Sequence, residues 1–198
     1  MGDLLIALER SRDLGFLGPG PVEDHIVHAE RFMAAHEGSP PALALDLGSG
    51  GGVPGLVLAH RWPASHWWLL DASERRTAFL EETVSRLGLA DRVNVLHGRA
   101  ETLARHDTLR YSMDLVTARS FGPPAVTAEC ATGFLRVDGE LIVSEPPTSE
   151  GRWHLTRLAE LGMSLGPARS GCQVIHQTTL CAERYPRRVG IPAKRPLF

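Results

Sequence analysis

The chain is predicted to be an α/β protein whose mostly parallel sheet is covered by helices on both faces and closed by an antiparallel strand. Three observations predict this. Short apolar runs recur about one helix length apart, a glycine-rich turn follows the first of them, and no helix separates the last two.

Two helices open the chain. Asp3 to Asp13 carries Leu4, Leu5 and Leu8 in helical spacing, and Pro21 to His36 has its proline near the first turn. Gly15, Gly18, Pro19 and Gly20 separate them. After a second break at Gly38-Ser39-Pro40-Pro41, the run ALALDLG is too short for a helix and ends in glycines, which predicts a first buried strand. Further strands are expected at 67–71 (WWLLD), 92–98 (RVNVLHG), 113–120 (MDLVTARS) and 140–145 (ELIVSE). Between them, Glu74 to Leu87 sets Ala78, Phe79, Val84 and Leu87 on one helical stripe, and Pro123 to Leu135 is a second helix beginning with prolines. A last helix near Glu150 to Leu161 precedes strands at Ser164 to Arg169 and Gln173 to Glu183, which form the antiparallel closing hairpin. The reading divides the chain into a helical extension over 1–38 and a main unit over 39–198, with no internal repeat.

At 198 residues there is room for one ordinary α/β domain, and 43% apolar with 22% charged residues describes a chain with a real core. The first segment lacks the unbroken apolar stretch of a signal peptide, and no window approaches the roughly 20 apolar residues of a membrane span. Cys130, Cys172 and Cys181 fit neither a disulfide framework nor a CxxC metal pattern. A reduced cytoplasmic setting without a membrane partner is expected. The formal net charge is −2, yet Arg184, Arg187, Arg188, Lys194 and Arg195 put five of the 21 basic residues into an acid-free terminus. Such a tail is either a solubilising end or an edge that contacts phosphate.

The chemistry concentrates at strand ends. From Asp46 to Gly55 the chain reads DLGSGGGVPG, where glycines let the backbone approach a ligand closely; the spacing admits several nucleotide cofactors, or a tight turn alone. Asp71 ends the second strand, where a carboxylate can accept hydrogen bonds from both hydroxyls of an adenosine ribose. A nicotinamide dehydrogenase would use the same device, and the alternative is a helix cap completed by Glu74. After the third strand, Ala100 and Glu101 can border an adenine ring, although Glu101 alone reads as a helix-start acid. Arg119 ends the fourth strand beside the expected crevice, suited to a carboxylate or phosphate, or to a surface salt bridge. No GxxxxGK[ST] loop, serine elbow or HExxH appears. The nine histidines are scattered, His25 and His28 sharing a helix face as packing groups, so no metal site is expected.

Several segments together resemble the bacterial RsmG (GidB) family: Leu14-Gly-Phe-Leu-Gly, DLGSGGGVPGLVLA from Asp46, RRTAFLEETVSRLGL from Arg75, GRAE from Gly98, ARSF from Ala118 and YPRRVGIPAKRPL from Tyr185. The resemblance implies a Rossmann-like class I methyltransferase with a seven-stranded sheet and S-adenosyl-L-methionine as cofactor. Its methyl acceptor would be a guanine N7 in small-subunit (16S) ribosomal RNA, met as RNA or as the small ribosomal subunit. Carried over, Gly48 and Val53 line the methionine and adenosine moieties, Ala100 and Glu101 flank the adenine, and Arg119 matches the family's arginine after the fourth strand. With Gly50 and Asp71 these make the expected cofactor-binding set. Arg187, Arg188, Lys194 and Arg195 are the expected substrate contacts, reaching backbone phosphate.

Two segments depart from the family's pattern. Ser144-Glu145-Pro146-Pro147 stands where a lysine-glycine pair is usual, disfavouring phosphate there, and Asp24-His25-Ile26-Val27-His28 replaces an arginine-histidine…aspartate arrangement. Guanine N7 has an available lone pair, so no general base is required and no catalytic residue is named. Glu145 either stabilises the charge that moves onto the purine or is an exposed strand-end acid. The competing readings are a divergent methyltransferase acting on another RNA or a small molecule, a cofactor-binding protein without catalysis, and a dinucleotide oxidoreductase that would bind NAD.

Overall fold

The computed structural model describes residues 2–146 and 151–198. Seven strands form one sheet: β1 (Leu43–Leu47), β2 (His66–Asp71), β3 (Val93–His97), β4 (Met113–Ala118), β5 (Leu135–Ser144), β6 (Met163–Arg169) and β7 (Cys172–Gln177). Their spatial order is β3-β2-β1-β4-β5-β7-β6. The first five pair in parallel, and β7 runs antiparallel to both β5 and β6. The order reverses between β1 and β4, where an open sheet leaves a crevice beyond the carboxyl ends of its strands.

Helices α1 (Gly2–Asp13), α2 (Val22–Ala35), α3 (Gly55–Arg61), α4 (Glu74–Arg86), α5 (Ala100–Leu103), α6 (Pro124–Thr132), α7 (Leu155–Glu160) and α8 (Ile191–Lys194) complete the described elements. Side-chain alternation along the strands divides the core into two layers. Ala44 of β1 and Ile142 of β5 face one layer, while Leu45, Leu47, Leu141 and Val143 face the other. Leu4, Phe32, Leu58 and Leu80 close the first layer from α1 to α4, and Ala128, Leu158 and Tyr185 close the second. A sheet buried on both faces makes its strands near-continuous apolar runs, which is what exposed them in the sequence. Among the described residues no helix is long and apolar enough to cross a membrane.

Some boundaries differ from expectation. α6 ends at Thr132 and β5 begins at Leu135, well before Glu140; a register shift between Met113 and Leu115 absorbs the extra residues, with Asp138 at φ 64°. β7 stops at Gln177 rather than Glu183. The buried Gln177 amide donates to the carbonyls of Leu161 (2.9 Å) and Thr179 (2.7 Å), and Thr178 N donates to Gly162 O (2.7 Å), so the chain turns across the start of β6. The helix expected over Glu150 to Leu161 starts at Leu155, with residues 151–154 non-helical; Glu150, like Pro147, lies outside the described residues. α5 and α8 are single turns, too short to show a period.

Candidate functional site

The glycine turn is held from beneath by Asp46. Its Oδ2 accepts from Gly55 N (3.0 Å) and its Oδ1 from Thr117 Oγ1 (2.8 Å), tying the start of α3 to β4. Burial pushes the Asp46 carboxyl up to about 6, against the opposing pull of Thr117 and Gly55. Gly48 has φ 74°, and a Cβ there would lie 2.6 Å from the Phe121 ring, so the turn and the segment after β4 meet only across a glycine. From the amino-terminal side, Ser11 Oγ donates to Gly51 O at 2.9 Å.

Asp71 is 5% exposed. Its Oδ2 accepts from Gly50 N (2.9 Å) and its Oδ1 from Ser73 N (2.8 Å), with Arg76 NH1 3.7 Å away. The residue at the N-cap of α4 is Ser73, so the cap formed by Asp71 with Glu74 is absent. After β3, Ala100 is buried and opens α5, while Glu101 Oε1 accepts from Gly190 N at 2.9 Å. After β4, Arg119 NH2 donates to His25 Nδ1 (2.8 Å), which leaves the His25 Nε2 proton for Gly18 O (3.1 Å). The NH1 of Arg119 is buried without a hydrogen-bond partner. Burial lowers the Arg119 pKa and the Asp46 charge raises it. His25, expected as a packing group, therefore orients this arginine.

These residues border two adjoining cavities. One of about 200 Å³ is lined by Phe16, Leu17, Gly48, Gly50, Val53 and Arg119, among others. The other, about 190 Å³, is lined by Gly48, Asp71, Arg99, Ala100, Glu101 and Phe121, among others. Gly48, Arg76 and Ser120 line both. The seven residues expected to hold the cofactor all reach this divided cleft. Arg76, Ser120, Phe121 and the Phe16 to Gly18 turn, which also line the cleft, lie in segments that carry the resemblance, but no chemical pattern in the sequence marks them.

Beyond Ser120 and Phe121 lies a third cavity, about 310 Å³, which His28, Val143, Glu145, Arg152 and Trp153 also line. Glu145 corrects the expectation of an exposed acid: its side chain is 7% exposed and its Oε2 accepts from Arg152 NH1 at 2.5 Å. Burial, then the charges of Arg119 and Arg31, pull the His28 imidazole down to about 4. Among the described residues, no group of three or more His, Cys, Asp or Glu side chains is placed to hold a metal ion.

The closing segment packs across α5 and α6. Arg187 donates through its backbone N (2.8 Å), Nε (2.8 Å) and NH2 (2.6 Å) to Glu129, whose side chain is fully buried. Arg110 and Arg105 donate to the carbonyls of Tyr185 and Pro186. Arg184, Arg188, Lys194 and Arg195 stay exposed. The structure thus separates Arg187, an internal ion pair, from the other tail cations.

A seven-stranded sheet in this order, with a glycine turn after its first strand and the crevice at its switch point, defines a Rossmann-like class I methyltransferase fold. A methyltransferase of Geobacter sulfurreducens is similar, with a TM-score of 0.58 at 16% identity over 90% of this chain and 89% of that one. Within this class the chain belongs to the GidB family, rRNA small subunit methyltransferase G, whose family model matches residues 22–157. Ribosomal RNA small subunit methyltransferase G of Synechococcus sp. (strain CC9902) is 34% identical over 174 residues, 79% of this chain and 70% of the relative. Its counterpart in Moorella thermoacetica is 32% identical over 185 residues, covering 87% and 77% respectively.

Proposed function

We propose that this protein is a cytoplasmic S-adenosylmethionine-dependent methyltransferase that acts on a guanine N7 in small-subunit ribosomal RNA. The observation that carries the reading is the divided cleft around Gly48, whose two ends offer complementary chemistry. At one end the buried, unpartnered NH1 of Arg119 suits the carboxylate of a methionine moiety. At the other, each Asp71 oxygen already accepts one bond and keeps room for a ribose hydroxyl. Gly48, Gly50 and Val53 would border the methionine side, with Ala100 and Glu101 beside the adenine. Residues 39–198 form the methyl-transfer unit in this reading, and 1–38 a helical extension whose Phe16 to Gly18 turn closes the cleft.

The cofactor supplies an electrophilic methyl on a sulfonium. Guanine N7 needs no deprotonation to accept it, so the protein's task is alignment and exclusion of water rather than proton transfer. Arg188, Lys194 and Arg195 contact backbone phosphate, and Arg187 anchors the tail that presents them. Incubation with labelled adenosylmethionine and undermethylated small subunits or their naked RNA, followed by mass mapping, tests the reading. A single 7-methylguanosine is expected. Cofactor binding without transfer to either substrate overturns it, and methyl on another atom or another RNA moves the acceptor.

A further inference from the structure

We infer that the cavity beyond Ser120 and Phe121 receives the acceptor base, and that Glu145 selects guanine by accepting hydrogen bonds from its N1–H and N2–H2 groups. The inference rests on the proposed guanine methylation and adds the residue that chooses the base.

Sheet order places the cavity. β4 lies between β1 and β5, so the Ser120–Phe121 segment after β4 stands between the glycine turn after β1 and Glu145 after β5. Ser120 lines the third cavity and both halves of the cofactor cleft. A base seated against Glu145 therefore lies next door to the transferring methyl. At about 310 Å³ the cavity is at the small end of ligand sites, which run from about 300 to 1,000 Å³.

The lining decides what enters. Glu145 Oε1 accepts from Trp153 Nε1 (2.8 Å) and Oε2 from Arg152 NH1 (2.5 Å). Each carboxylate oxygen can accept about two bonds, so these two partners fix the group's direction and leave one position on each oxygen. The two free acceptor positions ask for two adjacent donors. Only guanine among the four RNA bases offers them on one edge: uracil has a single N–H, while adenine and cytosine set a donor beside an acceptor. Arg152, next to Oε2, supplies donors for the neighbouring O6. Phe121 and Trp153 add aromatic surface of the kind on which extruded bases stack. On the α2 wall, His28 Nε2 is buried without a partner, a second polar position still to be filled. With its N1/N2 edge on Glu145, a guanine turns N7, on its far side, away from the end of β5.

The test is nuclear magnetic resonance of the Trp153 indole N–H, assigned by its loss in Trp153→Phe, with S-adenosylhomocysteine present. Guanosine monophosphate should shift it saturably, inosine monophosphate, which lacks the N2 amine, should require roughly tenfold more, and adenosine monophosphate should leave it in place. Glu145→Gln should erase the guanine-over-inosine preference while leaving S-adenosylhomocysteine affinity unchanged. No response to guanosine monophosphate, or an equal response to the inosine or adenosine nucleotide, overturns the inference. Methyl transfer by the same wild-type protein keeps the two readings apart. Preference without transfer to ribosomal RNA retains the pocket and removes the proposed activity; transfer without preference does the reverse.

Discussion

Single carboxylates in this protein do different work according to what surrounds them. Asp71 sits among backbone amides at the mouth of the cleft, and Asp71→Ala should weaken adenosylmethionine binding by tenfold or more, since a hydrogen bond to a charged group is worth roughly 1.5–3 kcal/mol. Calorimetry on a variant with an intact circular dichroism melt checks this, and an unchanged Kd moves the ribose contact elsewhere. Asp46 is the opposite case. Its carboxyl is raised in the folded state from 3.8 to about 6, so the folded chain holds that proton more tightly than the unfolded one. The stability it confers is complete below about pH 4 and falls as the pH rises through about 6, by an amount on the order of a few kcal/mol. Asp46→Asn, which can still accept from Gly55 and donate to Thr117, should flatten that slope in urea titrations between pH 4 and 7. A variant that keeps the slope places its origin in another group. The places of Asp71 and Glu101 at the cleft were legible in the sequence because Asp71 ends β2 and Glu101 follows β3 closely, where position alone implies the crevice. The burial of Glu145 was not, because Trp153 and Arg152 reach it from a different segment.

Among the elements, the closing tail gives the sharpest contrast. In the sequence its cations are alike; in the structure Arg187 serves a buried acid 58 residues away and Arg188, Lys194 and Arg195 face solvent. Arg187→Ala should cost roughly 3–5 kcal/mol by stranding Glu129 without its partner, visible in thermal and urea unfolding. Replacing Arg188, Lys194 and Arg195 with glutamine should leave stability unchanged and lower the salt dependence of RNA binding, by about 0.7–0.9 in log-log slope per lost phosphate contact. If the triple variant binds RNA with the wild-type slope, the tail is structural throughout. Long elements were legible wherever apolar spacing ran for several turns or strand positions, as in α4 and β1 to β4. The early start of β5 and the early end of β7 were not, since a bulge at Asp138 and the side-chain bonds of Gln177 set them.

At the scale of the whole molecule, the sheet's alternation assigns each end of the chain to its own face. α1 and α2 cover one layer and the tail covers the other, yet both ends come back to the same rim: Ser11 holds Gly51, and Gly190 holds Glu101. The parallel α/β architecture was legible because a doubly covered sheet needs long apolar strands; that both ends return to one cleft was not, because those contacts span 40 and 89 positions. Deleting residues 2–20 or 185–198 should therefore weaken adenosylmethionine binding even where circular dichroism shows the sheet intact, and a deletion that binds normally would show that end to be dispensable. For anyone engineering the protein, this changes where handles belong. Purification tags, fluorophores and surface-immobilisation linkers fused to α1 or to the closing segment would sit beside the rim that Ser11 and Gly190 brace, and the exposed turn at Gly88 between α4 and β3 is the safer place for them.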